Sequence, residues 1–295
     1  MKNTLLFSLF ASEALAQKIQ SKSGMMRGEI FLKRFPDEES YLRFSTSPEK
    51  MKVVILTDFS RPDAKLWPLL LAAATARDLG AVSVLLIAPY LPYMRQDIRF
   101  QEGEAISSKY FAELLSRYFD ALITIDPHLH RYLDLSEIYS IKTSVGHAAP
   151  VMAEWIRANI AKPLLIGPDS ESKQWVSEVA QGAAAPYVVL QKIRKGDREV
   201  EVSIPQIAEW QDSTPVVLDD MISTAQTMIQ TVQHLKKMMP HPPVCMGVHP
   251  IFAGHAYEEL MASGAGQVIS CNTIEHPSNR IDLSGVLLEQ LLSLL

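Results

Sequence analysis

Residues 216–228 read Val-Val-Leu-Asp-Asp-Met-Ile-Ser-Thr-Ala-Gln-Thr-Met. An apolar run ends in Asp219 and Asp220, hydroxyl-bearing residues follow, and a helical pattern begins after them. A strand that leads directly into a helix is the repeating unit of parallel α/β sheets. The stretch therefore predicts an α/β fold with a ligand site at this turn, because ligands of such sheets bind beyond the carboxyl ends of the strands.

The turn after this strand has the composition of a site for phosphate and sugar. The first N–H groups of a helix are unpaired and carry the positive end of its dipole, which favours an anion. Hydroxyl donors are added by Ser223, Thr224 and Thr227. The carboxylates of Asp219 and Asp220 are placed to hold sugar hydroxyls or a metal-bound diphosphate. An acid-rich turn with a Ser or Thr N-cap has the same residue types, so composition leaves both interpretations open.

Short apolar runs alternate with helical patterns along the whole chain. The predicted strands are 5–10, 53–57, 82–88, 121–125, 163–166, 187–190, 215–218, 244–248 and 267–270. The predicted helices are 12–20, 65–79, 107–119, 150–160, 172–181, 224–238 and 255–263. Nearly continuous apolar strands separated by helices indicate mostly parallel sheets flanked by helices on both faces.

Length and composition indicate two ordinary globular domains. The chain has 295 residues, and domains commonly span roughly 100–200 residues. A more polar stretch at 136–147 suggests a boundary, giving halves 1–145 and 146–295. A hydrophobic fraction of 47% and a net charge of −5 exclude a disordered chain and disfavour a general nucleic-acid binder. Two cysteines are too few for a disulfide framework or a four-cysteine zinc site, so a reducing cytoplasm is expected.

The N-terminus imitates a secretory signal. It has Lys2, an apolar stretch over 5–11 and an Ala-Leu-Ala ending, but Ser8 and Glu13 interrupt the apolar character. These residues favour a first strand followed by an amphipathic helix. No other run reaches the ~18 apolar residues of a membrane span, so no membrane partner is expected.

Taken together, several separated motifs resemble those of one enzyme family. Residues 219–227 resemble the phosphoribosyl-diphosphate loop of type I phosphoribosyl folds. Seven further segments match in order: Phe35–Glu39, Pro89–Asp97, Glu104–Lys109, Asp126–His128, Gly167–Asp169, Lys192–Arg194 and His249–Pro250. By these motifs, the chain resembles the ribose-phosphate diphosphokinases, also called phosphoribosyl-diphosphate synthetases, from about residue 5 to residue 292.

The resemblance implies a fold and a reaction. The fold would be two phosphoribosyltransferase-like domains, with the first on the ATP side and the second on the ribose 5-phosphate side. The N-terminal segment would be the first strand and helix rather than a removable leader. The reaction would transfer diphosphate from MgATP to the C1 hydroxyl of ribose 5-phosphate, and the enzyme would be a homo-oligomer, from dimer to hexamer.

The resemblance also assigns roles on the ATP side. Arg95 and Gln96 would contact ATP, with the guanidinium bridging phosphate oxygens. Phe35 would stack on adenine, while Asp37 and Glu39 would accept hydrogen bonds from the nucleoside, commonly in a neighbouring subunit's site. Without the resemblance, Arg95 would be an interface or surface arginine, and residues 35–40 a plain turn before a strand at 41–44.

Two basic residues would carry the catalysis. Lys192 and Arg194 would neutralise charge that grows on the transferred phosphate, from a mobile basic flap over residues 191–202. Without the resemblance, the alternating charges of this segment favour a solvated hairpin.

The resemblance assigns the remaining residues to the sugar phosphate and the metal. Ribose 5-phosphate would be bound by Asp219, Asp220, Ser223, Thr224 and Thr227. Mg²⁺ would be held by His128 and Asp169, directly or through water. Half of a zinc site at His128-Leu129-His130 is the alternative, and His130 is by default a structural histidine.

Three segments depart from the family's pattern. Ala225 and Gln226 stand in the phosphate loop, and Glu38 in the adenine-side motif, where the family has glycine; Ser170-Glu171-Ser172 also replaces small residues. These departures keep open a non-catalytic or regulatory homologue. The loop at 219–227 also keeps open a phosphoribosyltransferase that consumes phosphoribosyl diphosphate, because such enzymes share it.

Overall fold

The structure is a computed structural model. It describes residue 1 and residues 3–169, 172–195, 199–203 and 207–295, with the backbone alone at 191–195, 199–203, 207 and 208. The first elements are β1 (Thr4–Leu9), α1 (Glu13–Ser23), β2 (Met26–Arg27), β3 (Ile30–Arg34), β4 (Ser40–Phe44), β5 (Lys52–Thr57), α2 (Pro62–Asp78), β6 (Ser83–Ile87), α3 (Ser107–Tyr118), β7 (Ala121–Ile125) and β8 (Lys142–Gly146).

The later elements continue the alternation of helices and strands. They are α4 (Ala149–Asn159), β9 (Pro163–Gly167), α5 (Lys173–Ala183), β10 (Tyr187–Val189), β11 (Gln191–Lys195), β12 (Glu199–Ser203), β13 (Thr214–Ile222), α6 (Gln226–Leu235), β14 (Val244–Pro250), α7 (Ala256–Ser263), β15 (Gln267–Cys271), β16 (Asn279–Ile281) and α8 (Ser284–Leu294). In the described ranges, no helix is long and apolar enough to cross a membrane.

The chain divides into two compact units. The first comprises Met1–His147, Thr273–Glu275 and Ser284–Leu295, and the second comprises Ala148–Asn272 and His276–Leu283. The polar stretch that suggested a boundary instead contains β8, which is an edge strand of the first unit. The predicted halves also placed the last residues in the second half, whereas α8 groups with the first unit.

Side-chain contacts explain why α8 belongs to the first unit. Ser144 Oγ on β8 donates to Gln290 Oε1 at 2.7 Å. Lys22 Nζ at the end of α1 donates to Ser284 Oγ at 2.8 Å. No local sequence period encodes the sheet to which a terminal helix returns, so this placement depends on long-range contacts.

The first unit is built on a six-stranded parallel sheet in the order β2-β1-β5-β6-β7-β8. Its core includes Phe7, Ile55, Leu86 and Leu122, which are fully buried. β3 and β4 form a separate antiparallel hairpin. The sequence predicted only the second of these hairpin strands, because the first has just three apolar residues, Ile30 to Leu32, before two basic ones, and most of its residues are exposed.

The second unit repeats the plan, with a parallel sheet in the order β10-β9-β13-β14-β15-β16. The strand β13 lies inside this sheet and is nine residues long. It extends to Ile222, four residues beyond the predicted end. Since both sheets are parallel and flanked by helices, the predicted α/β fold class is confirmed.

Candidate functional site

The turn between β13 and α6 contains a residue in the left-handed backbone region. Ala225 has φ 56 and ψ 6 and occupies the N-cap position of α6 without a side-chain cap. The helix begins at Gln226, two residues later than predicted. The interpretation of this turn as a Ser/Thr-capped helix start is therefore wrong, because an alanine stands at the cap.

The hydroxyl groups near the start of α6 do not cap the helix. Ser223 and Thr227 are half-buried, Thr224 is exposed, and within the described residues none of these three hydroxyls takes part in a hydrogen bond. The uncapped N–H groups carry the positive dipole end. Gln226 is exposed and does not fill the turn. The turn can therefore accept an anion.

Three carboxylates lie at the carboxyl ends of the neighbouring strands β9 and β13. Burial, then the charge of Asp220 and that of Asp169, raise the pKa of Asp219 well above the usual range of a carboxyl. The Asp220 backbone N–H donates to Asp219 Oδ1 at 3.0 Å. A cation or a set of hydroxyl donors would offset the repulsion among these groups. The cluster has the oxygen ligands that Mg²⁺ prefers.

We expect Asp219→Asn to stabilise the metal-free protein at neutral pH. The pKa of this carboxyl is higher in the folded than in the unfolded chain. The free energy of unfolding therefore falls as the pH rises from the unfolded-state pKa through the folded-state pKa. Asparagine removes that loss, so the free energy of unfolding rises by about 1 kcal/mol at pH 7. Urea unfolding in EDTA at several pH values measures it.

The gain should shrink to nothing below about pH 3, where the carboxyl is protonated in both states. Asp212→Asn is the matched control, because the Asp212 side chain is 92% exposed and should show no gain. A variant less stable than the wild type at pH 7 would show that Asp219 makes a net stabilising contact.

We expect Ala225→Gly to stabilise the protein by roughly 0.5–1 kcal/mol, because alanine is strained in the left-handed region and glycine is not. Chemical denaturation measures the change. Ala158→Gly in the right-handed helix α4 is the control and should destabilise. The prediction fails if both substitutions change stability in the same direction.

In the first unit, a loop after β6 carries Arg95 and Gln96. Arg95 is exposed and Gln96 is half-buried. Gln96 Oε1 accepts from Ser107 Oγ at 2.6 Å, which joins the loop to the start of α3. Tyr93 is also left-handed, with φ 65, and its hydroxyl donates to Asp63. Burial and then this bond raise the pKa of Tyr93 to about 12.

An ion pair between a buried carboxylate and a half-exposed arginine joins this loop to the loop that follows β7. Arg131 Nη1 lies 2.7 Å from Asp97 Oδ1, with the Asp97 side chain 1% exposed and Arg131 47% exposed. Tyr132 donates its hydroxyl to the Asp97 carbonyl at 3.2 Å. Among the described residues, Asp97 Oδ2 has no partner. No role is predicted for Asp97 from the sequence, because a pairing across 34 positions has no local signal.

The β7 loop brings His128 next to a second histidine. The Nε2 atoms of His128 and His130 lie 2.5 Å apart. Upstream, Asp126 has φ 33, and its carboxylate lies 2.9 Å from His147 Nδ1. This second pair was also missed by the sequence. The described residues contain no group of three or more His, Cys, Asp or Glu that would complete a zinc site.

The predicted adenine-side residues lie at the tip of the β3–β4 hairpin, outside the six-stranded sheet. The Phe35 N–H donates to the Glu39 carbonyl at 2.8 Å, and the Glu39 N–H to Asp37 Oδ1 at 3.3 Å. Glu38 has φ 69, so it adopts the left-handed conformation that suits glycine. The Phe35 ring is exposed, and Lys33 Nζ lies 5.0 Å from its centroid.

Lys192 and Arg194 lie on β11, which pairs with β12 in an antiparallel hairpin. The hairpin that the alternating charges predict is thus present in the backbone. The side chains of both residues lie outside the part of the chain that the structure describes, as do residues 196–198, which include Gly196 at the predicted flap.

Comparison with known proteins assigns the family. The sequence model of the N-terminal domain of ribose phosphate pyrophosphokinase matches residues 4–118, and that of the phosphoribosyl transferase domain matches residues 134–283. The ribose-phosphate pyrophosphokinase of Methanobrevibacter smithii is 31% identical over 286 residues, covering 93% of this chain and 95% of that protein. The chain belongs to the ribose-phosphate pyrophosphokinase family.

Other relatives agree with this assignment. The ribose-phosphate pyrophosphokinase of Sulfurisphaera tokodaii is 30% identical, over 86% of this chain and 87% of that protein. The phosphoribosylpyrophosphate synthetase of Mycobacterium smegmatis shares the fold, with a TM-score of 0.86 over 99% of each chain at 20% identity. These matches confirm the predicted family. They also confirm the prediction that the chain is an enzyme.

Proposed function

We propose that the chain transfers the β,γ-diphosphate of MgATP to the C1 hydroxyl of ribose 5-phosphate. The C1 oxygen attacks the β-phosphorus, the bond from that phosphorus to the bridging oxygen of the α-phosphate breaks, and AMP leaves. The hydroxyl proton passes to solvent, and the product is 5-phosphoribosyl 1-diphosphate. The observation that carries the proposal is the uncapped turn at Ala225 beside Asp219 and Asp220, in a chain of this family.

The second unit supplies the ribose 5-phosphate side of this proposal. The N-terminus of α6, with Ser223, Thr224 and Thr227, binds the 5-phosphate through N–H and hydroxyl donors. The carboxylates of Asp219 and Asp220 accept hydrogen bonds from the ribose hydroxyls, which offsets the repulsion between them.

The first unit supplies the ATP side. Arg95 binds phosphate oxygens, and Gln96 contributes its amide N–H₂ group while its oxygen accepts from Ser107. Phe35, Asp37 and Glu39 receive the adenosine of a neighbouring subunit, for which an exposed hairpin tip is suited. This role requires a homo-oligomer.

The basic strand and the metal residues complete the proposal. Lys192 and Arg194 neutralise the charge that develops on the transferred group. His128 and Asp169 would hold Mg²⁺, which when bound offsets the negative charge of the phosphates. The described residues contain no group of three His, Cys, Asp or Glu placed to hold a metal ion. Burial, then the charges of Asp220 and Asp169, raise the pKa of Asp219, and a cation nearby would nevertheless offset those charges.

The test follows AMP formation from MgATP with and without ribose 5-phosphate, with phosphorus NMR to identify the sugar product. AMP that appears only with the sugar, together with a C1 diphosphate signal, is the expected result. Intact ATP at varied Mg²⁺ and phosphate would overturn the proposal in favour of a non-catalytic homologue. Diphosphate release that depends on a nucleobase and phosphoribosyl diphosphate would favour a phosphoribosyltransferase.

A further inference from the structure

The loop after β7 brings two imidazole rings together. The ring centroids of His128 and His130 lie 4.0 Å apart with their planes at 87°, and the two Nε2 atoms face each other at 2.5 Å. β7 ends at Ile125, so the strand alternation that places residues i and i+2 on one face does not explain this contact. The conformation of the loop produces it.

The loop is anchored on both sides of the pair. Before it, the Asp126 N–H donates to the Gly146 carbonyl at 3.0 Å, and its carboxylate contacts His147. After it, Arg131 pairs with the buried Asp97. These contacts hold the loop backbone, and a held backbone is what a preorganised ligand pair requires.

Two ring nitrogens this close cannot both direct a proton at each other, and two facing lone pairs repel. Either the N–H of one ring donates to the nitrogen of the other, or a cation lies between them. Two imidazole nitrogens bound side by side to one ion at roughly 2.1 Å each are about 3 Å apart. A small increase in the distance between the two Nε2 atoms therefore makes room for an ion.

We propose that His130 is a second metal-binding imidazole beside His128. This site favours borderline divalent ions such as Co²⁺ and Zn²⁺, since imidazole suits these ions whereas Mg²⁺ prefers oxygen. The described residues offer no third His, Cys, Asp or Glu in a metal-binding group here, so water and phosphate oxygens complete the coordination of the ion. The identification of this ion as the one that carries ATP rests on the proposed function.

The test titrates the EDTA-treated full chain with Co²⁺, followed by visible absorption, and with Zn²⁺ and Mg²⁺, followed by calorimetry. His130→Gln and His128→Gln should each weaken Co²⁺ and Zn²⁺ binding at this site by at least tenfold. His130→Gln should change Mg²⁺ binding by less than twofold, since Mg²⁺ prefers oxygen ligands. His241→Gln is the matched control, because His241 is an exposed histidine before β14. Only differences between the variants are interpreted, because Co²⁺ that binds elsewhere on the chain contributes equally to all of them.

Two outcomes would overturn the inference. One is that His130→Gln, with an unchanged circular dichroism spectrum and melting temperature, binds Co²⁺ and Zn²⁺ as the wild type does. The other is that only His128→Gln weakens binding, which would make the site a single imidazole. The AMP assay separates this failure from a failure of the proposed function: AMP formation with unchanged Co²⁺ binding in His130→Gln rejects the imidazole pair alone. Intact ATP with weakened Co²⁺ binding rejects the reaction alone.

Discussion

Replacing Lys192 with alanine is expected to lower turnover by on the order of a hundredfold or more, the usual scale for one group that stabilises charge in a transition state. Since the lysine acts on charge that develops during transfer, the Michaelis constant for ATP and the melting temperature should hardly change. Steady-state AMP formation over a range of ATP and ribose 5-phosphate concentrations measures both parameters.

Lys195→Ala is the matched control for this substitution. It removes the same charge from the same strand β11, but the two-residue period of a strand assigns positions 192 and 194 to one face and position 195 to the other. Its turnover should stay within threefold of the wild type. A loss of less than threefold in Lys192→Ala would remove Lys192 from the mechanism, whatever the control shows.

Replacing Arg131 with methionine is expected to destabilise the protein by about 2 kcal/mol. Methionine keeps the apolar part of the side chain but leaves the Asp97 carboxylate buried without its cation. Loss of one partner from a fully buried pair costs about 3–5 kcal/mol, and the half-exposed arginine lowers that figure here. Urea unfolding measures the change.

A double-mutant cycle tests whether the effect comes from the ion pair. Asp97→Asn should recover much of the stability lost in Arg131→Met, since an amide without a cation is less costly to bury than a carboxylate. Additive losses from the two substitutions would show that the contact carries no coupling energy. Because the pair joins the Arg95–Gln96 loop to the His128 loop, we also expect Arg131→Met to raise the Michaelis constant for ATP.

At two of the positions where the family has glycine, this chain adopts the backbone region that glycine favours. Glu38 and Ala225 both have positive φ, with values of 69° and 56°. Each residue adopts it at a cost in strain on the order of 1 kcal/mol. Strain of this kind persists where the surrounding structure enforces it, often at functional sites. The substitutions thus give little support to a non-catalytic homologue.

Local sequence patterns predicted most of the secondary structure. The apolar runs at β5, β7 and β9 are bounded by turn residues and fully or nearly fully buried, so their period and length were readable. The hairpin strand β3 was missed because its residues are mostly exposed. β13 was predicted too short because the acids at 219 and 220 imitate the start of a loop.

The sequence alone determined the fold class and the family, because alternating apolar runs and ordered motifs are local properties of the chain. The site residues that it assigns stay predictions. Tertiary structure decided the return of α8 to the first unit, the pairing of Asp97 with Arg131 and the facing rings of His128 and His130. It also decided the left-handed turn at Ala225 and the raised pKa of Asp219. These depend on which groups are brought together and removed from water, and that is settled only when distant segments pack.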